Sequence, residues 1–490
     1  MLRSYRFCIL CGVAAALIAI LLSMSTPAQA ADKPVSFIAD VAPILKENCF
    51  ACHDTKKKSG KYDMTTYERL MAGGDDGGAV TAGKPDDSDC YTLMNSDEQR
   101  RMPPRDKGAA VPKAKAEIVK RWIAEGAKLD AGLDPKADLV AELRRRWTPP
   151  MPPEMYAKPV VINAISFTPD GKSIVVGGHH ELTVWDVATG QLQKRMRMRP
   201  ERVYSMAFTK NGKLAVAGGR PGQEGEVRLY DLTASGQTNM AGVMVLDGVN
   251  GFKARGKLLW EGDDCGLCLA MNSDGTKLAA GGTDRIVRVW NVTDDQNPKL
   301  EQTIENHADW VLGVCFTADG KFLYTAGRDK TAKVWDLTKK ESILTMAEHQ
   351  AVVYGVAAKA DGSLAFSVGA DKLLRAWKPL GDGKSGKAGA IHTDEVLKVL
   401  MHPTKSVLFT ASADKVVRSW DATDKFPLLK RFEGHSDVVY ALALSPDGKL
   451  VAAGGYDGEV RIWTSDDAKL VTAFIASPGY KAPTPAASGK

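Results

Sequence analysis

A single aromatic position recurs along the C-terminal two thirds of this chain. Trp185, Tyr230, Trp290, Trp335, Trp377, Trp420 and Trp463 follow at intervals of 45, 60, 45, 42, 43 and 43 residues. Each sits in a β-rich stretch, among them LTVWD, VRVWN, AKVWD and VRSWD. Hairpin signals precede them: PDGK, KNGK, SDGT, ADGK, ADGS and again PDGK, with PTKS in the sixth unit. A unit of about 43 residues cannot bury a hydrophobic face alone and must stack on its neighbours. The pattern therefore predicts seven stacked units of four short strands over residues 160–476. The long interval between Tyr230 and Trp290 holds an insertion at roughly 234–262.

Spacing, turns and the Trp-Asp dipeptide together resemble the WD-repeat family over 160–476. The resemblance implies an all-β seven-bladed β-propeller that serves as a protein-interaction scaffold. His307, His349, His392 and His435 each open a repeat. Their partners are Thr325, Asp329 and Trp335, then Ser367, Asp371 and Trp377, then Thr410, Asp414 and Trp420. In WD repeats this set forms a structural hydrogen-bond chain, so no catalytic residue is assigned among them. The seventh repeat has Ala453 at the hydroxyl position and is incomplete. The first two repeats lack most of the set, and His179, His180 and His402 are scattered. Cys265 and Cys268 lack a following histidine and read as core thiols. The export context permits a disulfide with Cys315.

The N-terminus carries Arg3 and Arg6, an apolar run over 7–24, and Ala28-x-Ala30 before Ala31. This reads as a signal peptide over 1–30, with a periplasmic or otherwise exported body. The run is long for a signal, so the alternative is a membrane anchor left uncleaved. Charged residues make up 25% and the net charge is +6, with no basic block longer than Lys56-Lys57-Lys58. Nucleic acid is therefore not expected as a partner.

Residues 31–130 read as a small all-α domain. SFIADVAPILKEN places Phe37, Val41, Ile44 and Leu45 on one face behind a Ser36 cap, with a break at Pro43. A second helix starts at Pro112, carries Ile118, Trp122 and Ile123, and stops at Gly126. Residues 131–159 are a linker with five prolines over 148–159. The last residues, 477–490, read as a disordered tail.

Chemistry concentrates in CFACH, Cys49 to His53. Cys-x-x-Cys-His is the signature of covalent haem attachment, with Cys49 and Cys52 as thioether residues and His53 as an axial ligand. Three readings compete: a zinc site of Cys49, Cys52, His53 and Cys90, a redox disulfide, and a chance occurrence of the motif. If the group is haem, its second axial ligand is a histidine or a methionine. Residues 31–159 hold no other histidine, and offer Met64, Met71, Met94, Met102, Met151 and Met155. Met102 is favoured, because the prolines of RRMPPR restrict its loop. Met151, in a second Met-Pro-Pro, is the runner-up. Arg100, Arg101, Arg105 and Lys107 flank Met102 and suit an acidic redox partner.

In order along the chain, VAPILKENCFACHD, GGDDGGAVTAGKPDDSDCY, RRMPPR and IVKRWIAEGAKL resemble the planctomycete-type cytochrome c domain. The resemblance covers about 37–130. It implies one covalent haem c with His53 and Met102 on the iron, and it departs from the family at Cys90. The expected function is exported electron transfer through that haem, with a redox partner protein and a second protein partner on the propeller. The alternatives are a haem-dependent oxidoreductase with a second cofactor or substrate site on the propeller, and a haem-based sensor.

Overall fold

A computed structural model describes residues 33–481, apart from 76, 97–99, 234–236, 239–243, 248–255, 380, 382–383 and 424. The proposed signal peptide lies outside the described residues, as do residues 482–490 of the tail expected over 477–490; Ser477, at its start, is buried and its Oγ accepts from Val160 N at 2.8 Å. The chain divides into two compact units between Trp147 and Thr148.

The first unit is helical. Ser36 Oγ accepts from Ala39 N at 3.0 Å and caps a π-helical turn, Phe37–Val41. That turn runs into the α-helix Ala42–Asn48, where Pro43 occupies the first turn and needs no amide partner. Phe37, Val41, Ile44 and Leu45 are all buried. Trp122, on the helix Lys113–Ala124, lies with its ring 5.2 Å from that of Phe37, and its Nε1 donates to Lys128 O at 2.9 Å. Ile118, expected on the same face, is 37% exposed; Ala116 and Val119 take the inward positions instead. The helix ends at Gly126, whose φ of +100° needs the freedom of glycine. Leu133 and Leu139, the second on the helix Leu139–Arg146, also join this core.

The second unit consists of antiparallel strands. Five sheets have four strands each in simple sequential order, and one has nine. Seven separate four-stranded sheets, as expected from the repeat, are thus not observed. The merger has a local cause. The strand Leu192–Phe208 runs 17 residues without a break, pairing first with His179–Asp186 and then with Leu214–Arg220. In later repeats a histidine-bearing loop separates the corresponding strands, as Lys299–Ile304 and Val311–Phe316 are separated around His307. Here that histidine is missing, and Arg195, Arg197 and Arg199 are buried instead. Arg195 pairs with Glu181 at 2.9 Å, and Arg199 lies 3.8 Å from Glu261 and 4.0 Å from Glu226.

The insertion is partly described. Gly256–Gly262 is the outer strand paired to Glu224–Tyr230, and Met244–Asp247 adds in parallel to Lys194–Arg197. The core consists of clusters that straddle neighbouring sheets. One of them joins Ile162 and Ile165, at the start of the unit, to Ala441 and Ile462 near its end.

The histidine chains form within repeats. His307 Nδ1 and Nε2 meet Asp329 at 2.9 Å and Thr325 at 2.7 Å, and Trp335 Nε1 donates to Thr325 at 3.3 Å. His392 does the same with Asp414 and Thr410, and Trp420 donates to Thr410 at 2.9 Å. His349 bonds Asp371 and Ser367, but Trp377 Nε1 has no partner. His435 reaches Asp457 at 3.2 Å and leaves its buried Nε2 unsatisfied.

Candidate haem site

The Cys-x-x-Cys-His segment starts where the Ala42–Asn48 helix stops. Cys49 caps that helix, its amide donating to Leu45 O at 2.8 Å. His53 N then donates to Cys49 O at 3.0 Å, which folds the segment into one turn. His53 Nδ1 lies 3.3 Å from Tyr62 O. Donation from Nδ1–H to that carbonyl fixes the tautomer and leaves Nε2 with a free lone pair. Tyr62 is itself anchored: its hydroxyl donates to Leu70 O at 2.8 Å, and its ring stands edge-on to His53 at 5.5 Å.

Cys49, Cys52, His53 and Met102 all line one cleft of about 380 Å³. Its remaining wall is mostly apolar and includes Tyr62, Met64, Leu93, Met94 and Pro103. The Met102 loop is held by its backbone. Met102 N donates to Leu93 O at 3.0 Å, and Lys107 N and Gly108 N converge on Pro104 O. The Met102–Pro103 peptide is cis. Arg101 Nη2 donates to Gly108 O at 3.0 Å, so this cation braces the loop, while Arg100, Arg105 and Lys107 are exposed. Met151, 61% exposed, belongs to the second unit.

Glycines shape part of the wall. Asp75 N donates to Gly60 O at 2.9 Å, and a Cβ on Gly74 would stand 2.5 Å from that oxygen. Only a residue without a side chain permits this approach. At Gly60 and Gly77, which line the cleft with φ of +63° and +96°, no atom lies within 4 Å of a Cβ position.

Cys90 also lines the cleft and is buried. Burial pushes its thiol well above the ordinary range, and the nearby Cys49 adds to this. Burial likewise pushes Cys49 up to about 12, with Cys52 contributing. Such a thiol is a poor thiolate donor, unlike the depressed cysteines of disulfide oxidoreductases. All six described cysteines are free, including Cys265, Cys268 and Cys315. The ligand atoms of Cys49, Cys52, His53 and Cys90 are not gathered within 4.8 Å of one another, so no tetrahedral zinc set is preformed. Two thiols, an imidazole with Nε2 free and a thioether around an apolar cleft fit a haem.

Residues 49–106 match the family model of planctomycete cytochrome C. Residues 257–291, 298–336, 390–421 and 426–464 match the WD domain, G-beta repeat. The chain joins a cytochrome domain to WD repeats. The first match implies a haem cofactor, and the second implies protein–protein interaction in general.

Motif reading missed Tyr62, whose backbone carbonyl orients His53. A carbonyl leaves no signature in sequence.

Proposed function

We propose that this protein is an exported c-type cytochrome that passes single electrons through one covalently attached haem. In this reading Cys49 and Cys52 would hold the haem through thioether links, and His53 Nε2 and Met102 Sδ would be the donors to its iron. The observation that carries the reading is the convergence of these four side chains on a single apolar cleft. A bound haem would supply reversible one-electron chemistry at iron, and a thioether donor would raise its potential. The chain's own contribution is orientation and exclusion of water. Tyr62 O holds the His53 ring, the backbone-braced loop of Met102 limits the thioether's freedom, and Leu93 and Met94 keep the cleft apolar.

The proposed domain limits are signal peptide 1–30, cytochrome domain 31–130, connection 131–159 and WD repeats 160–476, with the first part of the connection, through Trp147, packing on the helical unit. The repeats would close as a seven-bladed propeller, a view supported by the cluster that joins the first strand to the last sheet. The propeller would hold a partner protein, while Arg100, Arg105 and Lys107 would favour an acidic redox partner near the cleft. Among the described residues no helix is long and apolar enough to cross a membrane.

The test is expression of the full chain in a haem-attaching periplasm. Intact mass should rise by one haem, and the reduced and oxidised spectra should be low-spin. Met102→Ala should turn high-spin, while Met151→Ala should leave the spectrum unchanged. A high-spin wild type would exclude Met102 as ligand, and zinc without haem would exclude the whole reading.

A further inference from the structure

The second unit contains a lysine where the fold leaves little reason for one. A cavity of about 320 Å³ is walled by seven strands, from Ile165–Phe167 through Leu192–Phe208 and the first strands of the five later sheets. Lys398, on Val396–Met401, lines it. Among the described residues that line it, no other carries a charge.

The register shows how unusual this residue is. In six of these strands a bulge precedes the position facing the next strand of the sheet. Lys398 faces Ala411 there, and its counterparts are Cys268 facing Gly281, Gly313 facing Ala326, Gly355 facing Val368 and Ala441 facing Gly454. Ser205, facing Ala217, holds the position in the Leu192–Phe208 strand. Five strands thus place Ser, Cys, Gly, Gly and Ala where the sixth places lysine. Packing explains the small residues: a Cβ on Gly313 would already stand 3.0 Å from Tyr354 O. Packing does not call for a four-carbon chain ending in an ammonium.

That ammonium has no carboxylate in the wall to neutralise it. The Cys268 thiol lies within electrostatic reach, but burial pushes it up to about 12, so it is neutral near pH 7. Burial pushes the Lys398 pKa down, as expected for a cation without a counter-charge. A cation held in a cavity with no protein anion is a site for a mobile one.

We propose that the cavity binds a small oxyanion, a carboxylate or an inorganic phosphate, through Lys398. The small residues at the equivalent positions leave the room, and the lysine supplies the only charge. Lys398 is the specificity-determining residue, since it excludes cations and admits one negative group.

The test is thermal unfolding and isothermal titration of the full haem-loaded chain with sodium phosphate or sodium acetate, at ionic strength held constant with sodium chloride. Wild type should show a saturable rise in Tm and a saturable heat with one of the two probes, and that probe identifies the source chemistry. Lys398→Met should weaken binding at least tenfold, whereas Lys398→Arg should retain it. Lys398→Met should also unfold at the same or a higher temperature than wild type without oxyanion, because it removes a half-buried cation that has no counter-charge in the cavity wall. Far-UV circular dichroism checks its fold, and Lys398→Gln is the second variant. No saturable response to either probe in wild type would overturn the proposal, as would an equal response in Lys398→Met or Lys398→Gln.

Discussion

His435 is the weakest of the four repeat histidines, and one atom should correct it. Its Nε2 is buried without a partner, and its contact to Asp457 is 3.2 Å, against 2.9 Å and 2.8 Å for His307 and His349. The missing group is the hydroxyl at Ala453. Ala453 pairs with Leu442 and Arg461, as Thr410 pairs with Val399 and Arg418. Ala453→Ser should therefore place its oxygen where Ser367 meets His349 Nε2 at 2.8 Å. A net hydrogen bond contributes about 0.5–1.5 kcal/mol, and relieving a buried unsatisfied atom about 1–3 kcal/mol, so we expect about 1–2 kcal/mol. For a unit this large that is a rise of about 1–3 °C in Tm. Urea and thermal unfolding of the full chain, followed by tryptophan fluorescence, measure it. Ala453→Val adds bulk without a hydroxyl and should not stabilise. If Ala453→Ser leaves the midpoint unchanged, or Ala453→Val raises it equally, the hydrogen-bond argument is wrong.

Acid should loosen the repeats before alkali does. Burial alone would raise the Asp457 carboxyl, but hydrogen bonds from His435 and backbone amides outweigh it and hold it at about 2; Asp371 is lowered in the same way by His349. These carboxylates stabilise fully above their unfolded value, about 3.9, and lose that contribution as pH falls through the folded one. Burial also lowers the His392 pKa against the pull of Asp414, which adds a loss starting below about 6.5. The urea midpoint should fall between pH 6 and 3, stay level from pH 7 to 8, and decline above that as the unfolded thiols of Cys265, Cys268 and Cys315, held protonated by burial in the fold, begin to ionise; a flat acid limb would contradict this. Glu181→Ala strands the buried Arg195 and should cost about 3–5 kcal/mol, read as a drop in the denaturation midpoint. Gly74→Ala forces a methyl against Gly60 O and should lower the stability of the helical unit by about 1–3 kcal/mol, with loss of haem retention during periplasmic maturation.

Features set by local chemistry were legible in the sequence. Ser36, Pro43 and Gly126 act within one turn of themselves, and each does what its residue type dictates. The tryptophan period likewise exposed the repeats, because four-strand units repeat their turns. The nine-stranded sheet was not legible. Its cause is a substitution of mechanism, since buried arginines paired to glutamates stand where histidine chains stand elsewhere. A search for what recurs passes over a residue that solves the same problem with other atoms. The charged pattern KRMRMRPER also looks like solvent-facing strand until Glu181, Glu226 and Glu261, distant in sequence, are seen beside it.

The candidate site divides along the same line. Cys49, Cys52 and His53 are contiguous, and the Met-Pro-Pro loop carries its own restraint, so their residue types point to the chemistry. What distinguishes Met102 from Met151 is position alone, since both share the tripeptide. Only the fold brings Met102 to the cleft, through the amide bond to Leu93 O, and leaves Met151 exposed. Met64 and Met94 also reach the cleft, buried in the core and without a proline-restrained loop. Ligand choice among the three then rests on mobility. A buried methionine already makes dispersion contacts that it would forfeit by turning to a metal, whereas Met102, 39% exposed, has fewer to lose. If that balance governs the choice, Met102→Ala will not be rescued by Met64 or Met94, and the variant's spectrum will stay high-spin at every temperature below unfolding.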